Sequence, residues 1–417
     1  MQAWYLTKAF DSPLAPRHEE EIRSSSSREK RGFMSGSVVI VSRARTPIGS
    51  FQGGLSSFTA PELGSLAIKA ALERAEVETS QVDEVIMGEV LPAGVGQAPA
   101  RQASLGAGLL ACVPCTTVNK VCGSGMKALM MARQSILLGD SKIVVAGGME
   151  SMSKAPYLLP TARKGMRMGN QEVVDSIIHD GLWDHYGKAH MGHFGDLCAT
   201  RYEFSRQAQD DFAKASYERA ILATQKGWFK DEITPTSLED DEEPKRYVAE
   251  KMSTLKPAFS PTGTVTAANA SKLNDGAAAL VLMDEKEARR REQKPLARIL
   301  STATFAQDPA WFTTAPVGAI QSVIHKTGIS LAQIDLFEIN EAFSVVPMAV
   351  MRELQIPHER VNVWGGAVSL GHPIGCSGAR IVGTLISAMR HQNAKIGCAA
   401  ICLGGGEAVA ILIQCDA

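Results

Sequence analysis

The segment Asn119-Lys-Val-Cys122-Gly-Ser-Gly-Met-Lys127 sets a cysteine where an extended stretch gives way to a helix. The N–H groups at a helix start are unpaired and that end is positive, and both effects lower a thiol pKa. Glycines 123 and 125 let a substrate or a second backbone approach closely. Cys122 is therefore either a nucleophile for group transfer or a small cysteine packed under a helix. Gly371-His372-Pro373 sits in a loop, 365–375, that is too rich in glycine for a core strand. Its histidine is either a proton shuttle near neutral pH or a structural ring. Cys402-Leu-Gly-Gly-Gly406 ends an apolar run, and its cysteine reads as a base, a resolving thiol or a packing residue. Asn340, in Asn340-Glu-Ala-Phe343, either holds a water and donates to a developing oxyanion or stabilises a turn. Residues 263–277 are small and polar before they turn apolar, which suits a loop hugging a narrow ligand ahead of a strand.

The elements that must position these groups come in two copies. Residues 67–90 align with 319–342 at a spacing of 252, matching Ala67 with Ala319, Ile68 with Ile320, Gln81 with Gln333, Asp83 with Asp335 and Glu89 with Glu341. Further on, Gly123-Ser124-Gly125 is echoed by Cys376-Ser377-Gly378, and 145–150 by 402–407. So long a period is two copies of a domain rather than a solenoid, with a site expected between them. Apolar spacing predicts strands at 38–42, 84–87 and 143–146 and helices at 61–75 and 122–138. The second copy repeats the order at 336–339, 378–389 and 399–403. Strands alternating with helices predict a mostly parallel sheet covered on both faces. Residues 151–265, with scattered methionines and a polar helix near 206–226, read as an inserted, loop-rich domain covering the substrate.

Composition narrows the function. The 417 residues are 45% hydrophobic and 21% charged, and 43 Lys+Arg against 44 Asp+Glu provide no global field for nucleic acid or an anionic membrane. No apolar run is long enough for a membrane-spanning helix. The eight cysteines lie in apolar segments, which fits a reducing compartment. Cys112-Val-Pro-Cys115 has no second ligand pair at zinc spacing. Nucleotide-binding glycine signatures are missing from the strand–helix junctions, so nucleotide hydrolysis and hydride transfer are unsupported. Residues 1–36 read as a disordered leader or extension. The run Arg23-Ser-Ser-Ser-Ser-Arg28 suits a mitochondrial presequence, but Asp11, Glu19, Glu20, Glu21 and Glu29 argue against one. The expected compartment is the cytoplasm, with the mitochondrion as the alternative.

Taken together, VNKVCGSGMKA (118–128), NEAFS (340–344), GGAVSLGHPIGCSGARI (365–381) and CLGGGEA (402–408) resemble the signature segments of thiolases. TLKPAF, GTVTAANAS, LNDGAAALVLM and His190-Met191-Gly192 are similar to the short-chain acetoacetyl-CoA members. The resemblance implies an α/β thiolase fold of two duplicated α/β/α-layered domains, 37–295 and 296–417, with mixed five-stranded sheets and the loop domain at 151–265. It implies an acetyl-CoA C-acetyltransferase that reversibly condenses two acetyl-CoA to acetoacetyl-CoA and CoA, or alternatively a broader 3-ketoacyl-CoA thiolase of fatty-acid degradation. In that scheme Cys122 is the acylated nucleophile, His372 the proton acceptor and Cys402 the general acid/base. Asn340 fixes an oxyanion water, and the N–H of Gly404 joins that of Cys122 in a second oxyanion site. His190, Met191, Phe259, Ser271 and Phe343 match substrate-lining positions.

No cofactor is required in this scheme, since the coenzyme A thioester is itself the substrate. A potassium ion is implied at Tyr217, Ala267, Ala268, Ala270 and Val368, and a homotetramer with 157–175 as its loop. Two stretches depart from the pattern. Phe312-Thr313 stands where potassium-activated members carry Phe-Pro, which bears on 2-methyl-branched substrates, and His193-Phe-Gly-Asp196 replaces a run of small residues.

Overall fold

In the computed structural model, which describes residues 36–415, each half of the chain builds the same succession of strands. The first half contributes β1 (Val38–Arg45), β2 (Glu84–Gly88), β3 (Cys115–Val118), β4 (Ile143–Ser151) and β5 (Asn274–Asp284). The second contributes β6 (Ala297–Ala306), β7 (Leu336–Ile339), β8 (Ile396–Leu403) and β9 (Glu407–Gln414). They join in the order β7-β8-β9-β6-β1-β5-β4-β2-β3, with β1 and β6 meeting antiparallel at Val39/Arg298 and Ile40/Ala297. The duplication extends to irregularities: the β1–β5 register slips between Ile40 and Ser42, and the β6–β9 register between Ile299 and Ser301.

Two expectations need correction. The sheet is mixed rather than mostly parallel, because only β2–β3, β2–β4 and β7–β8 run parallel, while β5, β9, β1 and β6 pair antiparallel with their neighbours. In the second half the fifth strand is reduced to a single bridge, Phe337 to Val361. The echo of 145–150 in 402–407 is also not a structural equivalence. Met87 pairs with Gly147 and Ile339 with Ala400, which puts Met149 rather than Val145 opposite Cys402. The glycine runs serve different ends. Gly148 lies inside β4, where a Cβ would come within 2.0 Å of the Gly375 carbonyl oxygen, whereas Gly404–Gly406 form the turn between β8 and β9.

Helices complete five layers. The central layer is α2 (Ser124–Leu138) against α7 (Ile374–Gln392), whose residues are buried on every side from Ile374 to Met389, as a helix enclosed between sheets requires. The pair meets backbone to backbone. A Cβ on Gly125 would lie 2.8 Å from Ala379 N, and one on Gly378 2.4 Å from Met126 N. On the outer face of the first half lies α1 (Ala60–Arg74), started by a Thr59/Glu62 capping box. On that of the second lie α5 (Ala315–Thr327) and α6 (Val345–Leu354). The insertion carries α3 (Met191–Arg201) and α4 (Arg206–Gln225) between irregular stretches. Buried Arg45 anchors part of it, bonding Glu232 at 2.6 Å and Asp241 at 2.7 and 2.9 Å. All but the last residue of the leader assigned to 1–36 lies outside the described residues.

Candidate active site

A cavity of about 430 Å³ opens between the halves and the insertion. Its wall includes Cys122, His372 and Gly404 together with His190, Met191, Phe259, Ala267, Ala270, Ser271 and Phe343. Segments hundreds of residues apart in sequence are thus brought to one space. Cys402 and Asn340 are buried behind the wall.

Cys122 does not begin the helix but stands two residues before α2, in a tight turn. Val121 has φ of 46°, a left-handed conformation strained for a β-branched residue. Ser124 holds the turn shut: its hydroxyl accepts from Lys120 N at 2.8 Å and donates to the Val121 carbonyl at 2.6 Å. Lys120 Nζ bonds Glu407 at 2.6 Å and so ties this turn to the strand after Gly404. The backbone N–H groups of Cys122 and Gly404 both point at the Cys122 sulfur. The expectation of a depressed thiol pKa is nonetheless reversed. Burial pushes the thiol up to about 12, and the two N–H groups only partly oppose it. Without a base, Cys122 stays protonated at neutral pH.

His372 lines the same cavity. Its Nδ1 lies 2.6 Å from Ser377 Oγ, and that hydroxyl donates to the Pro373 carbonyl at 3.0 Å. With the Ser377 proton so committed, Nδ1–H donates to Oγ and Nε2 keeps its lone pair. Nε2 is buried and has no hydrogen-bond partner among the described residues. Burial, and then the Arg380 charge, lowers the ring pKa to about 3, so the resting imidazole is neutral. Asn274 Oδ1 accepts from the His372 backbone N–H at 2.8 Å and fixes the loop.

Cys402, at the end of β8, has its thiol pKa held well above the usual value by burial and by the nearby Cys122 sulfur. Asn340 follows β7, the strand beside β8, and its backbone N–H donates to the Ala400 carbonyl. Neither atom of its side-chain amide has a hydrogen-bond partner among the described residues, which speaks against the turn-stabilising alternative. At the substrate end, the Phe259 ring stacks on His190 at 4.6 Å and meets Phe343 edge-on at 6.0 Å, and Phe312 closes the far side.

Sequence reasoning passed over three residues. Ser377 was visible only as the serine of the repeated Ser-Gly echo. Asn274 and Lys272 lie in a run read as a ligand-hugging loop, but nothing in their types announced contacts to the loop at 366–372. Lys272 bears directly on the implied potassium site. Its Nζ donates to the carbonyls of Ala270 and Val368, at 2.8 Å each, and stands 5.2 Å from the centre of the Tyr217 ring. Oxygens meant for a free cation are already bound to an ammonium, so the residues present do not fit the ion as the resemblance implied.

Comparison with known proteins agrees with this architecture. Residues 38–286 match the thiolase N-terminal domain and 293–415 the thiolase C-terminal domain; the chain belongs to the thiolase family. A probable acetyl-CoA acetyltransferase of Dictyostelium discoideum is 51% identical over 388 residues, covering 91% of this chain and 94% of that one. The acetyl-CoA acetyltransferase ERG10, cytosolic, of Gibberella zeae is 50% identical, covering 90% and 98%. The crystal structure of Acat5 thiolase from Ascaris suum in complex with coenzyme A superposes with a TM-score of 0.88 at 44% identity, covering 91% of this chain and all of that one.

Proposed function

We propose that this thiolase is an acetyl-CoA C-acetyltransferase that condenses two acetyl-CoA reversibly to acetoacetyl-CoA and CoA through an acetyl-Cys122 intermediate. The observation that carries the reading is the Cys122 sulfur, met by two convergent backbone N–H groups in a cavity that also holds a neutral histidine with a free Nε2. The Cys122 proton passes to His372 as the sulfur attacks the thioester carbonyl. The Cys122 and Gly404 N–H groups receive the oxyanion, and coenzyme A leaves as the thiol by taking the proton of Cys402, which is left as the thiolate. Cys402 then removes a proton from the methyl of a second acetyl-CoA. The enolate, stabilised by the protonated His372 and a water held by Asn340, attacks the acetyl group and expels the Cys122 sulfur, which takes its proton back from His372. The high pKa of Cys402 makes its thiolate a strong base once formed.

His190, Met191, Phe259, Ser271 and Phe343 line the pantetheine and acyl path in this reading. The aromatic wall of Phe259, Phe312 and Phe343 supports a short acyl group over the longer chains of a general 3-ketoacyl-CoA thiolase. The names of the relatives support the same substrate, and the cytosolic name of the Gibberella protein supports a cytoplasmic placement. Among the described residues no helix is long and apolar enough to cross a membrane. The duplication supports domains at 37–295 and 296–417, and exposed Tyr157, Leu159, Met166, Met168 and Val173 support a homotetramer assembled through 157–175.

The test is thiolysis of acetoacetyl-CoA beside 3-ketohexanoyl-, 3-ketooctanoyl- and 2-methylacetoacetyl-CoA, with Cys122→Ala as control. Turnover confined to the four-carbon chain and lost in the variant supports the reading. Comparable turnover of the longer chains moves the assignment to the general thiolase.

A further inference from the structure

Lys272 is a half-buried wall residue of the cavity whose ammonium is directed at main-chain carbonyls. Two of its three N–H bonds go to main-chain carbonyls on different segments, Ala270 on the substrate loop and Val368 on the short helix Ala367–Leu370 that leads into His372. The face of Tyr217, from α4, takes the place of a third acceptor, within cation–π reach. The surrounding charges suit a cation. Glu341 Oε2 accepts from Val368 N at 3.0 Å, so Val368 gives its N–H to a carboxylate and offers its carbonyl to the ammonium. Glu243 and Glu341 both favour the charged lysine, and Arg246 opposes it. Tyr247 stacks on Tyr217 at 4.6 Å. Two carbonyl oxygens and the face of a ring around Nζ are the surroundings of an ammonium.

The contacts on either side explain what such a charge does. Ser271 N donates to the Ala342 carbonyl, and Ala270 bridges Phe343, so the lysine's loop is the floor of the acyl end. Asn274, two residues on, holds His372 N. One cation between Ala270 and Val368 therefore sets the substrate loop against the histidine loop.

We propose that Lys272 is a tethered cation that fills the seat of a monovalent metal ion and positions the two loops, so that this thiolase works without potassium. The proposal rests on the acetyl-transfer reading only for its kinetic arm.

The experiment compares wild type, Lys272→Ala and Lys272→Met in KCl, NaCl and choline chloride at equal ionic strength, by thiolysis of acetoacetyl-CoA and by thermal unfolding. Wild type is expected to show the same turnover and the same midpoint in all three salts. Lys272→Ala leaves a vacant, oxygen-lined seat. It is expected to lose about fivefold or more in choline and to regain turnover and melting temperature in KCl, the size of an ordinary site-to-site coupling. Lys272→Met fills the space without a charge and is expected to lose activity in every salt. A wild-type enzyme stimulated several-fold by KCl overturns the proposal, as does a Lys272→Ala enzyme that keeps full turnover in choline or gains nothing in KCl. If wild type turns over no ketoacyl thioester, the acetyl-transfer reading fails, and the melting curves still decide the cation seat on their own.

Discussion

Asp83 and Asp335 stand at the same turn of the two halves. Asp83 Oδ2 accepts from the N–H groups of Lys142 and Ile143 at 2.7 and 2.9 Å, and Asp335 Oδ2 from those of Lys395 and Ile396 at 2.8 and 2.9 Å. Just before them, Gln81 and Gln333 each close a capping box on a three-residue helical turn. The serines of the Ser-Gly echo, Ser124 and Ser377, also occupy equivalent sites, yet their bonds differ. Ser124 ties the turn that carries a cysteine, whereas Ser377 holds the imidazole of His372. The glutamates have diverged as well. Glu341 is bonded to Ser216, Asn362 and Val368 N, while Glu89 is buried with neither oxygen hydrogen-bonded among the described residues. Contacts that hold the scaffold were kept in both copies, and those near the cavity differ, closing a cysteine turn in one half and holding the His372 imidazole in the other.

The sharpest way to break this division is to remove the reactive group of one half at a time. In Cys402→Ala, turnover should fall about 10³-fold or more, near the upper range for a positioned acid or base. Acetyl-CoA should still acetylate Cys122, which intact-protein mass spectrometry reads directly. Cys122→Ala should take up no acetyl group. Loss of acetylation in both variants would mean that the sulfurs do not divide the reaction between them.

Alkylation separates the same two thiols by environment. Cys122 is partly accessible from the cavity, and Cys402 is buried. Because burial raises the Cys122 pKa to about 12, its thiolate fraction climbs tenfold per pH unit through the whole neutral range. Iodoacetamide inactivation of the free enzyme should therefore accelerate about 100-fold between pH 7 and pH 9, with Cys122 modified first. A rate that levels off below pH 8 would restore the depressed pKa that the helix start suggested.

Much of this was legible from residue types, and the exceptions share a cause. The copies, the order of their strands along the chain and the four candidate site residues lie in segments whose local pattern carries the signal. Misreadings arose where a distant neighbour decides. The Cys122 pKa is set by burial rather than by α2, and of the glycines of β4 Gly148 makes room for the crossing α7 and Gly147 for the backbone of β5. The fifth strand of the second half shrank to one bridge at Val361, and no local propensity marks that loss. Lys272 looked like a polar loop residue because its partner Val368 is nearly a hundred positions away.

The serine pair offers a finer contrast. In Ser377→Ala the Nδ1–H of His372 loses its acceptor, which disfavours the imidazolium. Turnover should fall about tenfold, the cost of one orphaned buried group, and the acidic limb of the pH–rate profile should move to lower pH. Ser124→Ala frees the cysteine turn without touching the ring, so turnover should drop while the limb stays where it was. Identical profiles for the two variants would mean that Ser377 only holds backbone.

The mildest effect belongs to the scaffold, where the halves are most alike. Asp83→Ala and Asp335→Ala each strip two backbone N–H groups of a carboxylate acceptor next to a strand. Some of those groups reach water, so each variant should lose about 1–3 kcal/mol, seen as a thermal midpoint lowered by a few degrees with turnover per folded molecule unchanged. The two losses should be equal and, because the sites are far apart, additive in the double variant. Unequal losses would show that the copies diverged in their scaffold too, and that the shared hydrogen bonds conceal different packing around them.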